Sequence, residues 1–74
     1  RHTRLVTLRA PYRPHLAEEI SARFSRLRVR VEAVEMQRVD RSAADITLKL
    51  LYTNPQEYIA FEARVAEEGG LELR

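Results

Sequence analysis

Ile46-Thr47-Leu48-Lys49-Leu50-Leu51-Tyr52-Thr53-Asn54-Pro55-Gln56-Glu57 passes from one kind of order to another within twelve residues. Ile46, Leu48, Leu50 and Tyr52 alternate with Thr47, Lys49, Leu51 and Thr53, the period of two that gives a strand one apolar and one wet face. The next four residues carry the chemistry of a helix start. Asn54 can cap, Pro55 suits the first helical position because its missing N–H costs nothing there, and Glu57 can reach back to the cap amide. Tyr58, Phe61 and Val65, flanked by Ile59 and Ala66, then supply the buried side of a helix. Gly69-Gly70 ends it through positive φ. Leu71-Glu72-Leu73 is a short closing strand.

Working back from Ile46, Asp40 to Ala44 is small and polar, a hairpin loop. Arg28-Val29-Arg30-Val31-Glu32 alternates with period two and opens a strand that runs to Met36. The alternation shifts between Ala33 and Val34, and a β-bulge or a strand twist there would return Val34 and Met36 to the core face. Near the start, Leu5 to Ala10 is β-branched and bounded by proline, a further strand. Pro11-Tyr12-Arg13-Pro14 is a turn, with Pro14 expected as the first helical residue. Leu16, Ile20, Phe24 and Leu27 form one apolar stripe. Glu18 and Glu19 at its start and Arg23 and Arg26 at its end complement the helix dipole. The order β-α-β-β-α-β predicts an α+β, ferredoxin-like sandwich, a four-stranded antiparallel sheet with two helices on one face. The closing strand and the Arg28–Met36 strand should form the sheet edges.

The chain has 74 residues and 8.6 kDa, room for one domain, residues 1–74. Hydrophobic residues at 45% with 32% charge predict a globular chain. With no cysteine, disulfide scaffolds and thiolate metal sites are excluded. No apolar run approaches the ~18 residues that cross a bilayer, and no basic-then-apolar leader is present. An opening Arg1 in place of Met is what a domain cut from a longer chain would show. Charge is divided: eight arginines face two glutamates up to Arg30, and five basic residues face nine acidic ones beyond it. The two halves can neutralise one another when packed, so the net +2 says little about an anionic partner.

Site chemistry is sparse. Histidine occurs only at His2 and His15, and Ser21, Ser25 and Ser42 have no base at a readable spacing. The adjacent pairs Glu18-Glu19 and Glu67-Glu68 point about 100° apart on a helix, unlike a paired acid and base, and read as solvated helix faces. No catalytic residue and no cofactor are expected. Asp40 and Asp45 flank the hairpin loop without supporting oxygen ligands, and read as turn residues in preference to a metal or Mg²⁺ site. Nucleic-acid binding on this topology needs aromatics on the open sheet face. That face should show Thr47, Lys49, Leu51 and Thr53, with Tyr52 on the core side, so no nucleic-acid partner is expected.

A resemblance carries the reading further. Ala10-Pro11-Tyr12-Arg13-Pro14-His15-Leu16-Ala17-Glu18-Glu19-Ile20 is similar to the Asp-Arg-Pro-Gly-Leu-Leu-Ala-Glu-Ile signature of ACT domains, small regulatory β-α-β-β-α-β modules. The remaining elements fall in register with that family along the whole chain. The resemblance implies an amino-acid site in this loop, with Tyr12, Arg13 and His15 as the candidate ligand-binding residues. Tyr12 stands where the family often has Asp, and His15 where it has the Gly that lets backbone approach a ligand. Both departures impair such a site, and Arg13 also reads as a loop surface residue.

A degenerate, arginine-rich ACT-like domain also resembles the C-terminal domain of the MgtC family of bacterial inner-membrane proteins. Members have hydrophobic N-terminal spans and carry this domain on the cytoplasmic side. They are associated with adaptation to low magnesium and with survival inside macrophages. The resemblance implies a non-catalytic regulatory or protein-interaction domain whose partner is another protein or the rest of its parent chain. Contact with a membrane would come only through that parent. Pairing of edges or helices into a homodimer stays open, as does an amino-acid sensor from another parent.

Overall fold

The alternation at Ile46–Tyr52 becomes a strand running Ala43–Tyr52 in the computed structural model, which describes all 74 residues. In chain order the elements are β1 (His2–Pro11), α1 (Leu16–Arg23), β2 (Arg30–Arg38), β3 (Ala43–Tyr52), α2 (Pro55–Glu67) and β4 (Glu72–Leu73). The strands form one antiparallel sheet in the order β2-β3-β1-β4. This is the α+β, ferredoxin-like arrangement, and β2 and β4 are its edges, as expected.

Alternation decides which face is dry. Leu8 and Ala10 of β1 and Ala44, Ile46, Leu48 and Leu50 of β3 are buried beneath the helices. Leu16, Ile20 and Phe24 from the first helical segment and Phe61 and Val65 from α2 close over them. The Phe24 and Phe61 rings meet at 4.9 Å with a 47° tilt, an offset geometry suited to ring quadrupoles. On the opposite face, the register sets Thr7 against Thr47 and Arg9 against Asp45, while Lys49 lies between Leu5 and Glu32. That face is mostly polar, with Leu5 and Leu51 also on it, and its β3 residues are those expected.

The helix start on α2 follows its sequence signals. Asn54 Oδ1 accepts from Gln56 N at 3.0 Å, and Glu57 Oε1 accepts from Thr53 N at 2.8 Å and Asn54 N at 3.3 Å. Donors that a helix start would leave orphaned are thereby satisfied. At the other end only Gly70 takes positive φ, at 86°, with the Pro11 ring against it.

Five expectations need correction. β1 starts three residues before Leu5, because each residue from His2 to Pro11 has a partner in β3. A strand paired along its whole length keeps polar residues such as Thr3 and Arg4 in register without alternation. α1 starts at Leu16, since His15 at φ 64° and ψ 24° turns the chain through the left-handed region directly after Pro14. The same helix stops at Arg23, and Leu27 is reached through a tighter turn in which Leu27 N donates to Phe24 O. The predicted bulge is present, with the β2–β3 register shifting between Ala33 and Glu35. Val34 and Met36 nevertheless remain 52% and 43% exposed, as does Ile59 at 52%. Met36 regains the core-facing register opposite Ile46, but β2 is an edge strand and this end of it stays exposed. On α2, Ile59 and Ala66 face solvent, and Phe61 and Val65 alone are fully buried.

Candidate functional site

The loop between β1 and α1 holds the three candidate residues, and its path is fixed from both sides. Tyr12 N donates to Ser42 O of the β2–β3 hairpin at 2.9 Å, so the loop is tied to the far end of the sheet. Pro14 restricts Arg13, and His15 in the left-handed region reverses the chain into α1. His15 therefore adopts the conformation that a glycine would provide, without being one.

The three side chains diverge. Tyr12 lies half-buried against β2, with the Arg38 guanidinium 3.9 Å from its ring centroid. Arg13 Nη1 turns to Glu19 Oε1 at 3.5 Å. His15 Nδ1 lies 3.6 Å from Glu18 Oε2, and both side chains are more than 70% exposed. Arg13 and His15 thus return to the first turn of their own helix, where acidic residues also suit the helix dipole. None of the three lines any of the domain's four surface concavities. Arg38 above Tyr12 could not be read from sequence, because it depends on the register that sets Arg38 opposite Ala44 and Ala44 opposite Ala10.

The two aspartates considered for a cation are committed elsewhere. Asp40 Oδ1 accepts from Ser42 N, Ser42 Oγ and Ala43 N, at 2.8, 3.0 and 2.9 Å, and so builds the hairpin turn. These donors, led by the Ser42 amide, hold the Asp40 carboxyl below its ordinary range. Asp45 receives Arg9 in bidentate fashion, Nε to Oδ1 at 2.9 Å and Nη2 to Oδ2 at 3.1 Å. That hydrogen-bonded guanidinium lowers the Asp45 pKa and raises that of Arg9. The pair lies on the open face in a row that crosses all four strands, Glu72–Arg9–Asp45–Gln37. No three His, Cys, Asp or Glu side chains come together as a metal site would require.

Of the paired glutamates, Glu68 departs from the solvated-face expectation. Its carboxylate lies 3.6 Å from Arg23 Nε and 3.6 Å from Arg64 Nε, and its side chain is only 22% exposed. Glu68 therefore joins the ends of the two helices. His2 stacks on Tyr52 at 5.2 Å, and Tyr52 on Tyr58 at 5.9 Å. Burial raises the Tyr58 pKa, and the hydrogen bond with Glu62 acts in the same direction.

No protein-family model, curated protein or solved structure matches this chain. No helix is long and apolar enough to cross a membrane.

Proposed function

We propose that this chain is a non-catalytic regulatory or protein-interaction domain, resembling the cytoplasmic C-terminal domain of an MgtC-type membrane protein. On that reading the parent resides in a bacterial inner membrane, serves adaptation to low magnesium and survival inside macrophages, and presents this domain to the cytoplasm. Its partner is another protein or the rest of its own chain. The observation that favours the interaction reading over an amino-acid sensor is the state of the β1–α1 loop. Tyr12 is covered by Arg38, while Arg13 and His15 are turned onto Glu19 and Glu18. A carboxylate and an ammonium group held side by side would need converging partners, and these residues diverge.

One observation favours the second reading, an amino-acid-sensing ACT domain. His15 keeps the left-handed backbone that a glycine would give at that point of the loop. Titration of the twenty amino acids against the isotope-labelled domain separates the two. The interaction reading expects no amide shift between residues 10 and 20. A saturable shift at Tyr12, Arg13 or His15 would overturn it in favour of the sensor.

A further inference from the structure

Packing decides where the arginines between α1 and β2 lie. α1 ends at Arg23 and β2 begins at Arg30. Within this connection Phe24 and Val29 are buried, and Leu27 packs against the core. Arg26 and Arg28, set between these anchors, are left exposed. With Leu27 they form one wall of an open concavity of about 380 Å³, and Asn54, Gln56 and Ala60 at the start of α2 form the other. Both walls are internal segments of the chain, and the volume lies at the lower end of the range for small-molecule sites.

The two guanidinium groups are unspent. Arg26 and Arg28 take part in none of the domain's ion pairs, whereas Arg23 and Arg30 on either side are held by Glu68 and Glu32. No side-chain hydrogen bond engages either of them. Glu57 is the one carboxylate on the wall, and its Oε1 is turned to Thr53 N and Asn54 N. The first amides of α2 are taken as well, Gln56 N by Asn54 Oδ1 and Glu57 N by Asn54 O. An anion here would therefore be held by the arginines and not by the helix end.

A guanidinium is a planar fork that fits a pair of acceptor oxygens. One carboxylate fills one fork and leaves the second idle. A phosphomonoester offers three oxygens and about two negative charges, enough for both forks. Leu27 and Ala60 give an organic group on that phosphate an apolar surface to lie on. We propose that the concavity between the α1–β2 connection and the start of α2 binds a phosphomonoester, with Arg26 and Arg28 clasping the phosphate. The proposal goes beyond the interaction reading and does not rest on it. Its readout lies at residues 26–28 and 54–60 and the amino-acid test reads residues 10–20, so the two failures are distinguishable.

The test titrates the labelled domain with phenyl phosphate and with benzoate at neutral pH and constant ionic strength, up to about 20 mM, since two charge-assisted contacts at an open site bind near the millimolar range. The expected result is saturable shifts at the Leu27, Arg28 and Gln56 amides and at the Arg26 and Arg28 Nε–H groups, with phenyl phosphate bound about tenfold better than benzoate. Arg26→Gln and Arg28→Gln should each weaken phosphate binding about tenfold. Arg41→Gln removes the same charge from the β2–β3 hairpin and should change it by less than about twofold. Flotation with phosphatidylcholine vesicles carrying phosphatidic acid separates the sources. Flotation that Arg28→Gln abolishes would assign the phosphate to a lipid headgroup, and phenyl phosphate binding without flotation would assign it to a soluble ligand. Absence of both would overturn the proposal. So would equal binding of phenyl phosphate and benzoate, or a loss in Arg41→Gln as large as that in Arg28→Gln.

Discussion

His15→Gly isolates the backbone at the candidate loop. A left-handed conformation costs an L-residue about 1–2 kcal/mol, and His15 holds it at φ 64°. Glycine removes that cost but adds freedom to the unfolded chain, which returns about 0.5–1 kcal/mol. The lost contact with Glu18 spans 3.6 Å between side chains that are 82% and 73% exposed, so it contributes little. The net expectation is a stabilisation of about 0.5–1 kcal/mol. For a domain of this size each kcal/mol moves Tm by about 4–8 °C, giving a rise of about 2–8 °C in a thermal melt followed by circular dichroism. His15→Ala is the control, because alanine keeps the strained conformation and should bring no rise. The reasoning is refuted if His15→Gly melts no higher than the parent, or if His15→Ala gains as much. His15→Gly should also acquire no amino-acid binding, since Tyr12 stays beneath Arg38.

Asn54→Ala should cost about 1 kcal/mol in urea unfolding, because Asn54 Oδ1 is the acceptor for Gln56 N. Leu48 is fully buried between Val6 and Ala33, so Leu48→Ala should cost about 2–5 kcal/mol. That is a large share of the roughly 4–11 kcal/mol expected for a domain of this length, whereas Lys49→Ala on the open face should change stability by under about 0.5 kcal/mol. Asp40 and Asp45 are both held below the ordinary carboxylate value of 3.8 in the fold. The stability they add is therefore present above 3.8 and lost as pH falls through their lower folded values. Asp45→Asn should shrink the drop in urea midpoint between neutral and acid pH, and an undiminished drop would place the acid sensitivity elsewhere.

What could be read from the residues was local or periodic. Asn54, Pro55 and Glu57 act within one helical turn, so their spacing was enough to place α2. Ile46 to Tyr52 alternate, and the broken alternation after Ala33 located the bulge. The resulting order of elements then gave the sheet its edges. Properties that depend on how far one element reaches over another were not legible. Val34 and Met36 have the composition of core residues, yet they stay exposed on β2, an edge strand of the sheet. The left-handed turn at His15 had one signal, its place where the resembling family has Gly, but Pro14 before it invited a helix start one residue too early. Arg9 and Asp45 are 36 residues apart, and their pairing needs a register that composition does not encode. The turn between β1 and α1 was legible from its two prolines, but the cover that Arg38 lays over Tyr12 comes from the far end of β2.

The central place of β1 has a consequence for how the chain is made. Its partner β3 begins at Ala43, so a ribosome delivers β1 dozens of residues before anything can pair with it. Loop closure over that separation has to be met before the long β1–β3 ladder gives any return, which slows folding and delays it until β3 has emerged. Until then Leu8 and Ala10 are uncovered on one face and the strand is open on both flanks. Release before Tyr52 would leave a fragment with an unpaired first strand, prone to join other chains.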